Sequence, residues 1–576
     1  MERKGTLLNR KYRTLLVSTL SLTASMYLAG IIDAIMVGRI LGTEELSAIN
    51  LSLCITFLRD ILVSLFTFGG NTLSVMYKGK RDNESADKVF TLSFLAGVVS
   101  AIVLAVVGIL LAAPTAHILT KGGELYGYVK SFLLPLWCTG PLIALTNQTA
   151  AFARTDGMNR FSTALPIIAN VINLGCDYLY MKPLNMGIAG AGWATVTGYV
   201  VSSILTIGYF KSKKRSVHFD KSSFKSMRFL KDTFSTGLPS SLIYVCNFLR
   251  LFFTNSIILG ATGVMGCKIA SVTFSLNSLA FIFVEGASMT MLPILGALYG
   301  EKDTKGIKIT LRYGMIVTLV LCMVVFVVSE LFPVQLASIY GLTDKETLGI
   351  FKVTFRILSI NVPILSVVYV LRTFFQATKQ RTIANILVIL DGFLTVVPIM
   401  YAFSKIDIYW LWASFPVSKA ATLLILLVVI LVAKKKQNKK SLLLLDEEKD
   451  SVLDFSIDNE QSQASVAAKT VLAFCKDNGV DATVANAIAV NTEELCHNIA
   501  SYARSDKSDT VDICVRIFAD KITLRIRDNG NLFNPTEYID DSGNIIIGLK
   551  LVRALSSAIE YNRVLDFNVT TITVNR

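Results

Sequence analysis

Charged residues are scarce in this chain of 576 residues. Asp, Glu, Lys and Arg make up 17% of it, whereas apolar residues make up 53%. In soluble globular proteins roughly a quarter of all residues are charged. The deficit excludes a fully soluble protein and predicts that most of the chain lies in lipid.

The sequence also lacks paired cysteines and a phosphate-binding P-loop. Its nine cysteines form no CxxC pair, and several lie inside apolar runs, so they indicate small buried side chains and not a disulfide or zinc framework. The absence of GxxxxGK[ST] argues against an ATP-driven pump. No cleavable signal peptide is evident, because the first apolar segment, from about Leu15, is long enough to span a bilayer and has no small-residue cleavage site.

The charges that are present divide the chain into two unlike parts. From Ser441 onward there are 13 basic and 21 acidic residues, which give a net charge of −8. The part before Ser441 has 43 basic and 21 acidic residues and a net charge of +22. A basic excess between apolar spans is typical of loops that face anionic lipid, and not of a nucleic-acid partner. The bilayer is therefore an expected partner of the first part.

Twelve apolar segments approach or exceed the roughly 20 residues that cross a bilayer. They cover about 14–38, 47–74, 89–113, 129–152, 161–181, 188–210, 235–259, 269–297, 312–334, 351–375, 383–404 and 409–432. Loops rich in Lys and Arg alternate with loops that carry few, so the positive-inside rule predicts an inner (cytoplasmic) membrane protein with both ends in the cytoplasm.

The membrane part contains an internal repeat. YKGKRD (77–82) matches LYGEKD (298–303) at an offset of 221 residues. The repeat predicts two six-helix halves, 1–220 and 221–435, related by an axis along the membrane normal. A cleft between such halves is the usual substrate site of an alternating-access transporter.

Ionisable side chains at bilayer depth are costly and are therefore functional candidates. Asp33 lies in the first span and Asp177 at the end of the fifth. Arg59 and Asp60 are adjacent in the second span, where mutual neutralisation and a packing role are an equal alternative. The other candidates for the cleft are Arg250, Lys268, Glu285, Asp391 and Lys419.

Several motifs of the membrane part, in order, resemble those of the multidrug and toxic compound extrusion (MATE) transporters. IIDAIMVGRILGTEELSAIN (31–50) resembles their first-span signature, RTDGM, NLGCD and MGIAGAGWAT are similar to their fourth to sixth spans, and GLPS (237–240) to the start of their second half. The resemblance covers about residues 10–435. It implies a twelve-helix antiporter that exports a small organic solute against an inward flow of H⁺ or Na⁺. It places the coupling-ion site at Asp33, Asn173, Asp177 and Thr195.

The chemistry of these residues agrees with either ion. Asn173 and Asp177 share one helix face at i, i+4 spacing. Two carboxylates with amide and hydroxyl oxygens suit Na⁺, and a buried carboxyl pair can instead share a proton. Arg59, Arg250 and Lys268 are unexpected in a cavity for lipophilic cations, so an anionic or zwitterionic solute is expected if they face the cleft. A flippase for lipid-linked substrates, from the same superfamily, is the alternative.

The chain after KKKQNKK (434–440) changes character. The pattern predicts a basic-to-acidic linker over 436–455, whose Leu run lies on the membrane surface, and a soluble α+β sandwich over 456–576. Helices are expected near 468–479, 483–503 and 548–558, and strands near 510–519, 521–528 and 560–575.

Three motifs of this domain resemble the GHKL ATP-binding fold, with spacing closest to the anti-sigma-factor serine kinases. EELCHN (493–498) corresponds to the N box, DNG (528–530) to the first glycine box and IGLKLV (547–552) to the second. The resemblance implies ATP and Mg²⁺ as ligands. It assigns roles to six residues: Asn498 coordinates Mg²⁺, Glu494 is the general base, Asp528 binds the adenine amino group, Gly530 allows close backbone approach, Gly548 opens a phosphate-contacting helix, and Thr570 or Thr571 supports Asp528.

Leu532 and Lys550 stand where a further glycine would be common, and the lid, about Tyr538–Ile547, is short. These departures favour ATP binding over efficient catalysis. The domain is therefore expected to regulate the transporter, or to phosphorylate or sequester a cytoplasmic protein on a Ser or Thr. The alternative is a membrane-tethered serine kinase that uses the transporter part as its sensor.

Overall fold

The structure is a computed structural model that describes residues 3–80, 82–225, 227–439, 441–445, 451–503, 510–538 and 547–576. These residues form a helical bundle followed by an α+β domain. The predicted lid lies outside the described residues except for its two end residues, Tyr538 and Ile547.

The bundle is built from helices that are long, apolar and joined by short loops. Its described helices are α1 (Thr6–Ile40), α2 (Thr43–Gly79), α3 (Asn83–Leu110), α4 (Ala112–Thr120), α5 (Tyr126–Thr155), α6 (Asn159–Met181), α7 (Gly187–Leu205), α8 (Ile207–Phe210), α9 (Arg228–Gly300), α10 (Thr304–Leu331), α11 (Pro333–Ile339), α12 (Lys345–Ser359), α13 (Asn361–Ala377), α14 (Arg381–Ile389), α15 (Val396–Phe403) and α16 (Ile408–Lys436). A π-helical turn, Leu390–Leu394, joins α14 to α15.

Helix α9 is two membrane spans in one. Its apolar stretch, Ser240–Gly300, has 61 residues, which at 1.5 Å per residue is about 90 Å, three times the bilayer core. Gly263 interrupts the helix with φ 63° and ψ −155°, a conformation that only glycine adopts readily. In the described part of the chain, eleven helical segments are long and apolar enough to cross a membrane. With α9 counted twice, the predicted twelve-span fold is confirmed.

The predicted repeat has a structural counterpart at the starts of α3 and α10. Asp82 and Asp303, which the repeat aligns, are the N-cap residues of these helices. The Asp82 carboxylate accepts from the Ser85 amide at 3.0 Å, and that of Asp303 accepts from the Gly306 amide at 2.9 Å. Such caps satisfy a backbone N–H that has no partner within the helix.

The α+β domain is a five-stranded antiparallel sheet covered on one face by helices. Its elements are β1 (Ser451–Asp458), α17 (Gln461–Asp477), α18 (Ala482–Tyr502), β2 (Thr510–Ile517), β3 (Lys521–Asp528), α19 (Ile547–Ala554), β4 (Ala558–Val564) and β5 (Phe567–Asn575), with strand order β1-β2-β3-β5-β4. Ile513, Leu524 and Ile572 of the sheet share one core with Ile488 and Leu495 of α18. The predicted α+β fold is confirmed.

Two details of the expected linker are wrong. Strand β1 begins at Ser451, inside the predicted linker, because Asp454 and Ser456 are polar residues buried on the sheet face away from the helices and so imitate a solvated segment. Leu444 and Leu445 do not lie on a membrane surface. They are 3% and 4% exposed and pack with Ile430 of α16 and Phe567 of β5.

Candidate functional site

The bundle brings the four predicted coupling residues together where α1, α6 and α7 meet. Asp33 of α1 and Asp177 of α6 lie close enough to interact electrostatically, and Asp177 is fully buried. Among the described residues, Asp33 Oδ1 and both carboxylate oxygens of Asp177 are buried without a hydrogen-bond partner. Beside them Asn173 Nδ2 donates to Thr195 Oγ1 at 3.2 Å. Two ionised carboxylates so close in a low-dielectric interior repel each other, so the pair requires a proton or a bound cation.

A cavity of about 400 Å³ lies between the two halves of the bundle. It is bounded by α1, α2, α9, α13, α16 and the segment around Asp391. Four charged side chains line it: Asp33, Arg250, Asp391 and Lys419. Asp33 therefore belongs both to the carboxylate pair and to the cavity wall, so that the two sites are contiguous.

Four predicted cavity residues do not line this cavity, because each is engaged elsewhere. Arg59 Nε donates to Asp60 Oδ1 at 3.0 Å, and its Nη1 donates to Thr139 Oγ1 at 2.8 Å. These contacts agree with the alternative that Arg59 and Asp60 neutralise each other and support helix packing. Lys268 pairs with Glu44 at 2.9 Å, and Glu285 accepts from the Tyr27 hydroxyl at 2.6 Å.

Neutral polar side chains of the cavity wall were not among the predicted residues. Asn277 and Asn361 line the cavity, and the Oδ1 atom of each is buried without a hydrogen-bond partner among the described residues. A lone amide within an apolar span is the only signal of such residues in the sequence. It does not reveal which face of the helix meets the cleft.

In the α+β domain, Asp528 stands at the end of β3 in a buried hydrogen-bond network. Its Oδ1 accepts from the Gly530 amide at 2.7 Å and from Asn568 Nδ2 at 2.9 Å. Burial raises the pKa of Asp528 to about 6. A Cβ on Gly530 would lie 2.0 Å from the Ala503 carbonyl oxygen, so the close backbone approach at this turn requires glycine.

The second half of the predicted ATP site forms where α18 meets the start of α19. A Cβ on Gly548 would lie 2.0 Å from Glu494 Oε2 and 3.6 Å from Asn498 Nδ2, so the N box and the second glycine box are in contact. Asn498 is 2% exposed, and its Nδ2 has no hydrogen-bond partner among the residues that the structure describes. A buried N–H donor and a backbone cradle that no side chain could enter suit a phosphate group.

The expectation for Thr571 is wrong. Side chains alternate between the two faces along a strand. Thr571 is paired with Arg525, so both lie on the opposite face of the sheet from Asp528. There Thr571 lines a cleft beside Glu301. The residue that supports Asp528 is Asn568, whose Nδ2 also donates to the Asn531 carbonyl. Thr570 shares the Asp528 face. The strand register that decides this is not visible in the sequence.

The open face of the sheet packs on the bundle through a buried cluster of charges. Arg3, which precedes α1, contacts Asp303 at 2.9 Å, Asp512 at 3.0 Å and Asp454 at 3.3 Å. Arg527 of β3 reaches Asp303 at 3.1 Å and also pairs with Glu301. Burial alone would raise the pKa of Asp303. The guanidinium groups of Arg3, Arg527 and Arg525 instead hold this pKa far below its usual range.

The family model MatE matches residues 21–179 and 239–402, more than half of the chain. The chain belongs to the MatE family. A second model, histidine kinase-like ATPase domain, matches residues 457–574. The chain is thus a multi-pass membrane protein of the MatE family with an ATPase-like domain at its C-terminal end.

Known relatives of this MatE protein include exporters. It is 22% identical over 376 residues to multidrug export protein MepA of Staphylococcus saprophyticus, covering 65% of this chain and 82% of the relative, and 23% identical over 385 residues to MepA of Staphylococcus haemolyticus, covering 66% and 83%.

Solved structures share the fold of the bundle. An inward-facing multidrug resistance MATE family transporter of the MOP superfamily aligns with a TM-score of 0.65 at 20% identity, covering 73% of this chain and 99% of that one. A MOP superfamily transporter from Pyrococcus furiosus, described as having a binding pocket of reverse polarity, aligns with a TM-score of 0.60 at 19% identity, covering 76% and 99%.

Proposed function

We propose that this protein exports a small organic solute by alternating access, in exchange for H⁺ or Na⁺ that enters at the Asp33–Asp177 pair. The observation that carries the proposal is the double position of Asp33, which lines the cavity and also lies close to Asp177. A cation bound at the pair and a solute bound in the cavity then share one wall, so that binding of one affects binding of the other. The name of the MepA relatives, multidrug export proteins, supports an organic solute.

We place both chain ends and the α+β domain in the cytoplasm of a cell with an inner membrane. The domain packs on the side of the bundle where α1 begins and α9 ends. The Lys- and Arg-rich segments, such as those after α2, α7 and α16, follow helix ends on that same side, as the positive-inside rule requires. ATP is available there.

Transport into or out of proteoliposomes tests the exporter directly. A fluorescent organic solute should move against an imposed H⁺ or Na⁺ gradient, and collapse of the gradient with an ionophore should stop the movement. The ion whose gradient alone sustains flux is the coupling ion. Absence of ion-driven flux for anionic, cationic and neutral solutes alike would contradict the exporter.

For the α+β domain we infer binding of ATP and Mg²⁺ that regulates transport. Asp528 would accept from the adenine amino group, and Asn498 would hold Mg²⁺ at the phosphates beside Gly548. Mg²⁺ would neutralise phosphate charge when bound. The Asn498 Nδ2 donor, which has no partner among the described residues, and the Gly548 cradle support a phosphate group at this place. The amide oxygen of Asn498 is the atom that would hold Mg²⁺.

We expect ATP with Mg²⁺ to raise the thermal stability of the full-length protein in detergent, by about 2.7 kcal/mol at a hundred times the Kd. Asp528→Ala should abolish this shift, and Asp520→Ala, at an exposed turn, should keep it. Since the pKa of Asp528 is raised to about 6, its accepting form is lost as pH falls through 6, and affinity should fall from pH 7 to 5. Equal shifts for both variants would place the nucleotide elsewhere.

A second function of the domain is phosphotransfer to a Ser or Thr of a protein partner. The observation that favours it is the Glu494 carboxylate at the mouth of the phosphate cradle, where a general base is needed. Glu494→Ala should then leave ion-driven transport intact and abolish transfer of labelled phosphate to any cytoplasmic protein. Phosphotransfer by a protein that shows no ion-driven flux with any solute class would instead favour the membrane-tethered kinase, with the bundle as its sensor.

A further inference from the structure

We infer that the cavity selects an organic anion: a solute whose carboxylate, sulfonate or phosphate binds Arg250 and whose aromatic or apolar body fills the remaining space. The inference rests on the proposed transport function and names its substrate class. It follows from how the four charged groups of the cavity wall are partnered.

Three of these four groups are committed. Asp33 belongs to the carboxylate pair with Asp177. Lys419 Nζ is 2.5 Å from Asp391 Oδ1 and also donates to the Asp391 backbone carbonyl at 3.1 Å. A lysine and an aspartate held in this way form a neutral, structural unit that ties α16 to the π-helical turn.

Arg250 is different. The contact that the structure gives its guanidinium group is a hydrogen bond from Nη2 to the neutral Asn247 Oδ1, 3.1 Å away and one turn earlier in α9. Among the described residues no carboxylate lies within 4 Å of it, whereas Lys419 and Asp391 line the same cavity. The wall formed by α9 and α16 therefore carries two cations for one anion.

An uncompensated guanidinium group in a low-dielectric cavity attracts an anion and repels a cation. Its planar donors match a carboxylate, sulfonate or phosphate in a bidentate geometry. A cationic solute would gain nothing from this wall and would compete with the coupling ion for Asp33.

The rest of the wall decides the body of the solute. Aromatic rings dominate it: Tyr27, Phe57, Phe274, Phe281, Tyr369 and Phe415. The volume of about 400 Å³ falls in the range of pockets that hold drug-sized molecules. A planar, largely apolar solute with one terminal acid group satisfies both the rings and Arg250.

The cavity then has two subsites of opposite charge. The coupling cation binds at the Asp33 end, and the acid group of the solute binds at Arg250. This division allows a gradient of cations to drive the exit of an anion without direct contact between them.

Binding to the purified full-length protein in detergent tests this inference without any need for transport. Fluorescence anisotropy would measure the Kd of carboxyfluorescein, an aromatic anion, and of ethidium, an aromatic cation. Arg250→Gln should weaken carboxyfluorescein binding at least about tenfold, the loss of a charge-assisted hydrogen bond, and leave or improve that of ethidium. Arg250→Lys should recover part of the anion affinity.

Lys130→Gln is the matched control, since Lys130 lies on α5 outside the cavity and contacts the Tyr126 ring. It should change neither affinity. The inference is overturned if wild type prefers ethidium, or if Arg250→Gln weakens both probes equally, which would show a packing role. The exporter is tested separately, by ion-driven flux in proteoliposomes. Because Arg250→Gln is measured by equilibrium binding, failure of the proposed substrate class is distinguishable from failure of the exporter.

Discussion

Asp33→Asn should abolish ion-driven export while the protein still folds. Asparagine has nearly the volume of aspartate, so the packing of α1 against α6 is retained, but its amide neither takes up a proton nor carries the charge that holds a cation. With one member of the pair neutral, Asp177 alone is left to bind the ion beside the cavity. Gradient-driven flux in proteoliposomes should fall to the level of protein-free vesicles.

Solute–solute exchange separates lost coupling from lost folding. Exchange needs the cavity to alternate but consumes no ion gradient, so we expect Asp33→Asn to retain it. Glu124→Gln, the same chemical change at an exposed loop carboxylate, should retain both activities. Full ion-driven flux in Asp33→Asn would show that the coupling ion binds elsewhere.

Asp303→Asn should release the α+β domain from the bundle. Asp303 is 1% exposed and is shared by Arg3, Arg525 and Arg527. Removal of one partner from a buried ion pair costs about 3–5 kcal/mol, because the remaining charges stay buried without compensation. The undocked population should rise by roughly two to four orders of magnitude, measured as the rate of proteolysis between Ser441 and Ser451.

The internal repeat supplies a matched control for this substitution. Asn remains a good N-cap residue, so Asp303→Asn keeps the helix cap and removes only the charge. Asp82→Asn makes the same change at the repeat-related cap of α3, where the residue is exposed and its carboxylate pairs with no described residue of the domain. Equal proteolysis of the two variants and wild type would show that the charge cluster does not hold the domain.

Undocking should also disconnect ATP from transport. Arg527 and Asp528 are neighbours on β3, and their side chains lie on opposite faces of the sheet, one against the bundle and one in the proposed nucleotide site. Strand β3 therefore links the proposed nucleotide site to Asp303 through adjacent residues. We expect any ATP effect on the flux of wild type to disappear in Asp303→Asn.

Much of the architecture could be predicted because it depends on local composition. A bilayer demands about 20 apolar residues per span, so the spans are visible as a pattern, and only the fusion of two of them in α9 at Gly263 required the structure. The nucleotide motifs were equally visible, because the turn Asp528–Gly530 and the helix face of Glu494 and Asn498 are short-range features.

The sequence by itself determined the twelve spans, the two-domain division, the α+β class and the short motifs of the site, since each depends on residues close in the chain. Tertiary structure alone decided that Arg250 faces the cavity and Arg59 does not, that Asn568 and not Thr571 supports Asp528, and that Arg3 meets Asp303. The physical reason is that a charge acquires its role from its partner. The partners of these charges are brought to them by helix rotation and strand register, over separations of up to 509 residues.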